Sequence, residues 1–163
     1  MNFVLALITA LMAVTASISV PSTPEASPVS EFGCGDLNAY FLNLAELTSK
    51  NEGFLTITSN PTGAFGLPAD EVASVSESLR QLIDDLSDIE PPEAASLYHQ
   101  AFVGQITWYF DLVTAPDFAT YQRIVNRDRQ LVPAISRAIF AGQSACGSEV
   151  WNDAYDQAFG DKT

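Results

Sequence analysis

Cys34 and Cys146, the only cysteines among 163 residues, stand near opposite ends of a body otherwise patterned as helix. A chain in an oxidising compartment most simply joins two such thiols. The bond would fasten the entrance of the first helix to the exit of the last, so the pair bears on topology and compartment together. It names no reaction.

The compartment is argued from the N-terminus. Residues 3–14 are apolar except Thr9, and Val14-Thr15-Ala16 offers small side chains for cleavage. Residues 1–16 therefore read as a signal peptide, although no Lys or Arg precedes the apolar run. A retained membrane anchor is the competing reading, but Thr15, Ser17 and Ser19 dilute the end of a segment already near the lower length limit. Residues 17–31 follow as a linker rich in Ser, with Pro21, Pro24 and Pro28. Such a stretch buries too little apolar surface to offset its ordering entropy, so it reads as disordered. A secreted or extracytoplasmic location is expected, with no membrane attachment after cleavage.

From Phe32 onward about 130 residues remain, enough for one domain with its own core. Val72, Val75, Leu79, Leu82, Leu86 and Ile89 recur three and four apart, the spacing of a helix with one buried face. Prolines followed by acids mark helix starts: Pro68 before Asp70 and Glu71, Pro91-Pro92 before Glu93, Pro116 before Asp117. Proline suits a first turn because its missing N–H had no partner there, and the acids complement the positive helix end. These marks predict helices over 36–51, 69–89, 92–114 and 116–143. The second and third connections are short, so those neighbours should run antiparallel. The first is longer. It holds the turn-forming Asn60-Pro61-Thr62-Gly63 and a β-branched run, 54–58, with the character of a short extended piece.

The expected fold is all-α: an up-down-up-down four-helix bundle over 32–146, closed by one disulfide, with a short helical tail over 147–163. In that order the start of the first helix and the end of the fourth share a pole, so the cysteines close without strain.

Three places depart from the simplest pattern. The third predicted helix is apolar nearly all round, with a narrow polar seam of Gln100, Gly104, Thr107, Asp111 and Thr114. Either it is the most buried helix, or it offers aromatics such as Trp108 and Phe110 to a ligand or partner. On the fourth helix Asp128 interrupts an apolar line of Tyr121, Val125, Val132, Ile135 and Ile139, and Pro133 in its interior predicts a kink. Gln105 interrupts the third helix at the level of Asp128, which predicts a buried polar layer. Finally, Trp151, Tyr155 and Phe159 form an aromatic stripe four apart on the tail, either packed back on the bundle or free to dock in a partner groove.

Composition bears on what the chain binds. A formal charge of −13 opposes nucleic acid, whose phosphates demand Lys and Arg. His99 is the only histidine, and its place beside the polar seam predicts a half-exposed surface residue. One histidine and two distant cysteines do not supply the common zinc sets, and no Glu stands three before His99 for a di-iron site. Neither a phosphate-binding glycine loop nor a nucleophile elbow occurs. No cofactor, metal or catalytic set is expected. The sequence points to a non-enzymatic interaction or binding module whose partner is an unknown protein; the alternative is a carrier of a small apolar ligand between the third and fourth helices.

Overall fold

A computed structural model of the chain describes residues 33–59 and 67–160. The expected signal peptide and linker, and the Asn60-Pro61-Thr62-Gly63 turn, lie outside the described residues. Those residues form six α-helices and no strand: α1 (Leu37–Lys50), α2 (Glu52–Ser59), α3 (Ala69–Ser87), α4 (Ser96–Val113), α5 (Phe118–Cys146) and α6 (Ser148–Phe159), with a 3-10 turn, Glu93–Ala95, ahead of α4. The fold is all-α. Among the described residues no helix is long and apolar enough to cross a membrane.

The proline and acid signals lie where helices begin. Pro68 occupies the N-cap of α3, with Asp70 and Glu71 in the first turn. Pro92 caps the 3-10 turn. At α5 the cap is Asp117, whose side chain accepts a hydrogen bond from the Thr120 amide at 2.7 Å. That bond holds the Asp117 carboxyl below its ordinary range. Helix α5 continues through Pro133.

The run 54–58 is helix, not an extended piece. Asn51 decides it. Its Oδ1 accepts from the Phe54 amide at 2.8 Å, a capping bond that starts α2, and its Nδ2 donates to the Ser78 carbonyl at 2.7 Å on α3. Ser78 Oγ donates to Asn51 Oδ1 and accepts from the Gly53 amide. A capped start fastened to a neighbouring helix outweighs the modest helix penalty of Thr56, Ile57 and Thr58.

Helix α4 packs on α3 along one side and on α5 along another. It buries Tyr98, His99, Phe102, Ile106, Tyr109, Leu112 and Val113, which accounts for a sequence apolar nearly all round. Helix α3 meets it with Val75, Leu79, Leu82 and Leu86.

Helix α1 packs chiefly on α6. Phe41 is the hub of this contact, fully buried and edge-on to Tyr98, Trp151 and Tyr155 at centroid distances of 5.4, 5.1 and 5.5 Å. Edge-to-face pairs at these distances add to the burial of large rings. The chain turns from α5 into α6 at Gly147, whose φ of 84° lies in the left-handed region that glycine tolerates. One turn earlier, Gly142 lies against the Trp151 ring, and a Cβ there would overlap it.

Cys34 and Cys146 are bonded, with Cα atoms 5.7 Å apart across a sequence separation of 112. The apolar line assigned to the fourth helix needs correction. Ile124 and Ala138 are its buried apolar side chains beside Cys146, whereas Val125 and Val132 are 39% and 44% exposed. Tyr121, Ile135 and Ile139 are half-buried. With α6 seated against α1, the flank of α5 that carries Phe118, Val125 and Val132 faces outward.

Candidate functional site

Between α4 and α5 lies a half-open cleft of about 480 Å³. One wall is the polar seam of α4, with Gln100, Gly104, Thr107 and Asp111, and Val103 and Trp108 beside it. The other wall is α5, which supplies Arg127, Gln130 and Leu131. The seam recurs at three- and four-residue steps, so its members share a face of α4. The short connection 114–117 folds α5 back over that face. Charged and amide side chains on the two helices then come together.

Trp108 is held in place. Its Nε1–H donates to the Ile124 carbonyl at 2.8 Å, and its ring tilts against Tyr109 at 5.1 Å. The polar edge of the indole is thus engaged, leaving its apolar surface as what it offers the cleft. Across the mouth, Arg127 Nη2 donates to Asp111 Oδ2 at 2.6 Å. Both partners are partly exposed, so the pair adds little to stability, at most about 1 kcal/mol. Its effect is to cancel charge locally while leaving donors and acceptors in a fixed place.

Gly104 stands one turn before Trp108. Both residues line the cleft. A Cβ added at Gly104 would meet nothing within 4 Å. Packing does not require a glycine here, and helix propensity opposes one. The position opens onto the cleft that Trp108 also lines.

The other candidate residues are spread through the molecule. Trp151 is 1% exposed and belongs to the core, in keeping with the alternative in which the tail packs back on the bundle. Its neighbours Tyr155 and Phe159 pack partly buried against the same cluster, their rings tilted toward each other at 4.9 Å. The tail stripe is spent on Phe41. Phe110 is half-buried against the core, away from the cleft lining. Gln105 is half-buried and its Nε2 donates to the Tyr109 hydroxyl at 3.3 Å. The Asp128 side chain lies outside the described residues, and the expected polar layer with it.

His99 is buried at 8% exposure, not half-exposed. The first turns of α4 sit under Tyr40 of α1 and the end of α3, so a position beside the seam is covered there. The Tyr40 hydroxyl lies 3.1 Å from His99 Nδ1. Burial lowers the His99 pKa from its ordinary 6.5, opposed in part by a hydrogen bond to the Leu86 backbone. The imidazole is a satisfied core group. Burial likewise raises the Tyr98 phenol pKa, and Tyr98 and Tyr155 hydrogen-bond each other. Among the described residues every buried side-chain polar atom has a partner, and no group of three or more His, Cys, Asp or Glu side chains gathers as a metal site.

The seam on α4 was visible in the sequence. Its α5 partners were not paired with it, because Asp111 lies four residues before Ala115 and Arg127 twelve after it, so simple hairpin register about that turn does not match them. No family model matches the chain, and no curated protein or solved structure is significantly similar to it.

Proposed function

We propose that this chain is an exported, non-enzymatic binding domain whose ligand site is the α4–α5 cleft. The observation that carries the reading is Gly104: a helix-interior glycine with no packing need, lining the same cleft as an indole pinned by its own N–H. The volume of the cleft, about 480 Å³, falls within the ~300–1,000 Å³ of small-ligand clefts. The disulfide and the apolar N-terminal segment support export. The charge of −13 supports a partner other than nucleic acid or an anionic membrane. For topology we propose the up-down-up-down order of α1, α3, α4 and α5, supported by the α3–α4 and α4–α5 contacts and by the bond that joins the two ends.

The lining includes carboxylate, guanidinium, amide and hydroxyl groups beside apolar ones. That mixture favours an amphipathic ligand over the purely apolar one considered from sequence. A second reading, docking of a protein, draws on the outward flank of α5 with Phe118, Val125 and Val132 seven apart.

Native mass spectrometry of protein recovered from its producing cells tests the proposal. The wild type should carry a small adduct that Gly104→Leu, with its side chain filling the cleft, lacks. Identical spectra for the two folded proteins would count against the cleft.

A further inference from the structure

We infer that the ligand of this cleft is a neutral saccharide, an inference that rests on the binding reading above and names its chemistry. Three properties of the lining converge on it. The first is charge. Asp111 and Arg127 neutralise each other at 2.6 Å, so the mouth has no net charge to offer an ion, and the surrounding chain at −13 repels anionic polymers.

The second is the kind of polar group. Gln100 and Gln130 carry amides that both donate and accept, and among the described residues neither bonds elsewhere in the chain. Thr107 has given its hydroxyl proton to the Val103 carbonyl, at 2.9 Å, and keeps acceptor capacity. Asp111 accepts and Arg127 donates. A ligand that satisfies such a set must itself donate and accept at several closely spaced points. Hydroxyl groups do both. A purely apolar ligand would leave these groups desolvated and unpaired, at a cost to affinity.

The third is the apolar surface. With its N–H committed to Ile124, the indole of Trp108 offers ring surface rather than a hydrogen bond. Pyranose rings carry C–H groups on a face bordered by hydroxyls, which matches an indole flanked by amides. Gly104 leaves room for that face to approach. The pinned ring is ordered before binding, which reduces the entropy lost on association. The open side of the cleft lets a chain of sugar units continue into solvent.

Heteronuclear NMR of the oxidised full-length mature protein provides the test, using the Trp108 indole N–H and the Gly104 and Gln130 amides as reporters. Probes are the neutral disaccharides maltose, cellobiose, mannobiose and N,N′-diacetylchitobiose, the zwitterion alanine, and 1-octanol. We expect saturable shifts at these reporters with at least one disaccharide, at least tenfold weaker binding in Gly104→Leu, and a matching loss in Gln130→Ala, a surface change that leaves the core untouched. Shifts with alanine or octanol and none with any disaccharide would overturn the saccharide assignment and leave the site standing. No shift at the reporters with any probe would overturn both.

Discussion

Gly142 and Trp151 show how closely single residues are matched here. The ring of Trp151 fills the space that a side chain at 142 would need. Gly142→Ala should therefore cost about 1–3 kcal/mol or more by overpacking, despite the better helix propensity of alanine. Urea unfolding with a far-ultraviolet readout measures it, and an unchanged midpoint would show the two residues do not meet. His99 gives a second expectation. Its folded pKa lies below the ordinary 6.5, so the unfolded chain takes up a proton first as pH falls. The His99 contribution is complete above 6.5 and is lost as pH drops from there toward the folded value. Stability measured at pH 7.5, 6.5 and 5.5 should fall across this window in the wild type and fall less in His99→Gln. Neither residue was readable from its neighbours in sequence. A lone histidine beside a polar seam looks exposed until α1 is laid over it, and a glycine four before a cysteine says nothing about a ring nine residues on.

Helices were the most legible level, because proline, acid and apolar spacing are local signals. Helix α3 was read nearly to its ends from Pro68 and the line Val75 to Leu86. Helix α2 was missed because its cap, Asn51, depends on Ser78, which lies on another helix. Helix α5 was read to within three residues at each end, with Tyr121 and Ile139 packed on the core as expected, but Ile124 and Ala138 were missed and Val125 and Val132 were wrongly placed inside. Its apolar residues cover more than half its circumference, and periodicity alone does not say which part of a broad stripe meets the core. That error has a measurable consequence. Ile124→Ala should cost about 2–4 kcal/mol, as for a buried aliphatic truncation, whereas Val125→Ser and Val132→Ser should each stay within about 0.5 kcal/mol. Comparable losses at all three positions would mean that the flank is covered. The seam of α4 was legible as a pattern, but a cleft requires a second wall, and Arg127 and Gln130 join it only through the turn between α4 and α5.

At the level of the molecule, one covalent bond links the start of α1 to the end of α5 across 112 residues. In the chain-entropy account a loop of this length contributes up to about 4.7 kcal/mol. Cys34→Ala/Cys146→Ala should lower stability by several kcal/mol while the far-ultraviolet spectrum at low temperature stays helical; no change in the unfolding midpoint would make the bond incidental. The closed body is what makes an open cleft informative. Its interior is densely packed around Phe41 and Tyr109, and its tail is absorbed into the core, yet α4 keeps a bare glycine on the cleft that a fixed indole also lines. If the fold needed that gap, filling it would harm the fold; if a ligand needs it, filling it would help the fold and harm binding. The unfolding free energy of Gly104→Ala separates these directly. A gain of about 0.5–1 kcal/mol is predicted from helix propensity with no steric cost, and a loss of stability would contradict the assignment of the cleft as a ligand site.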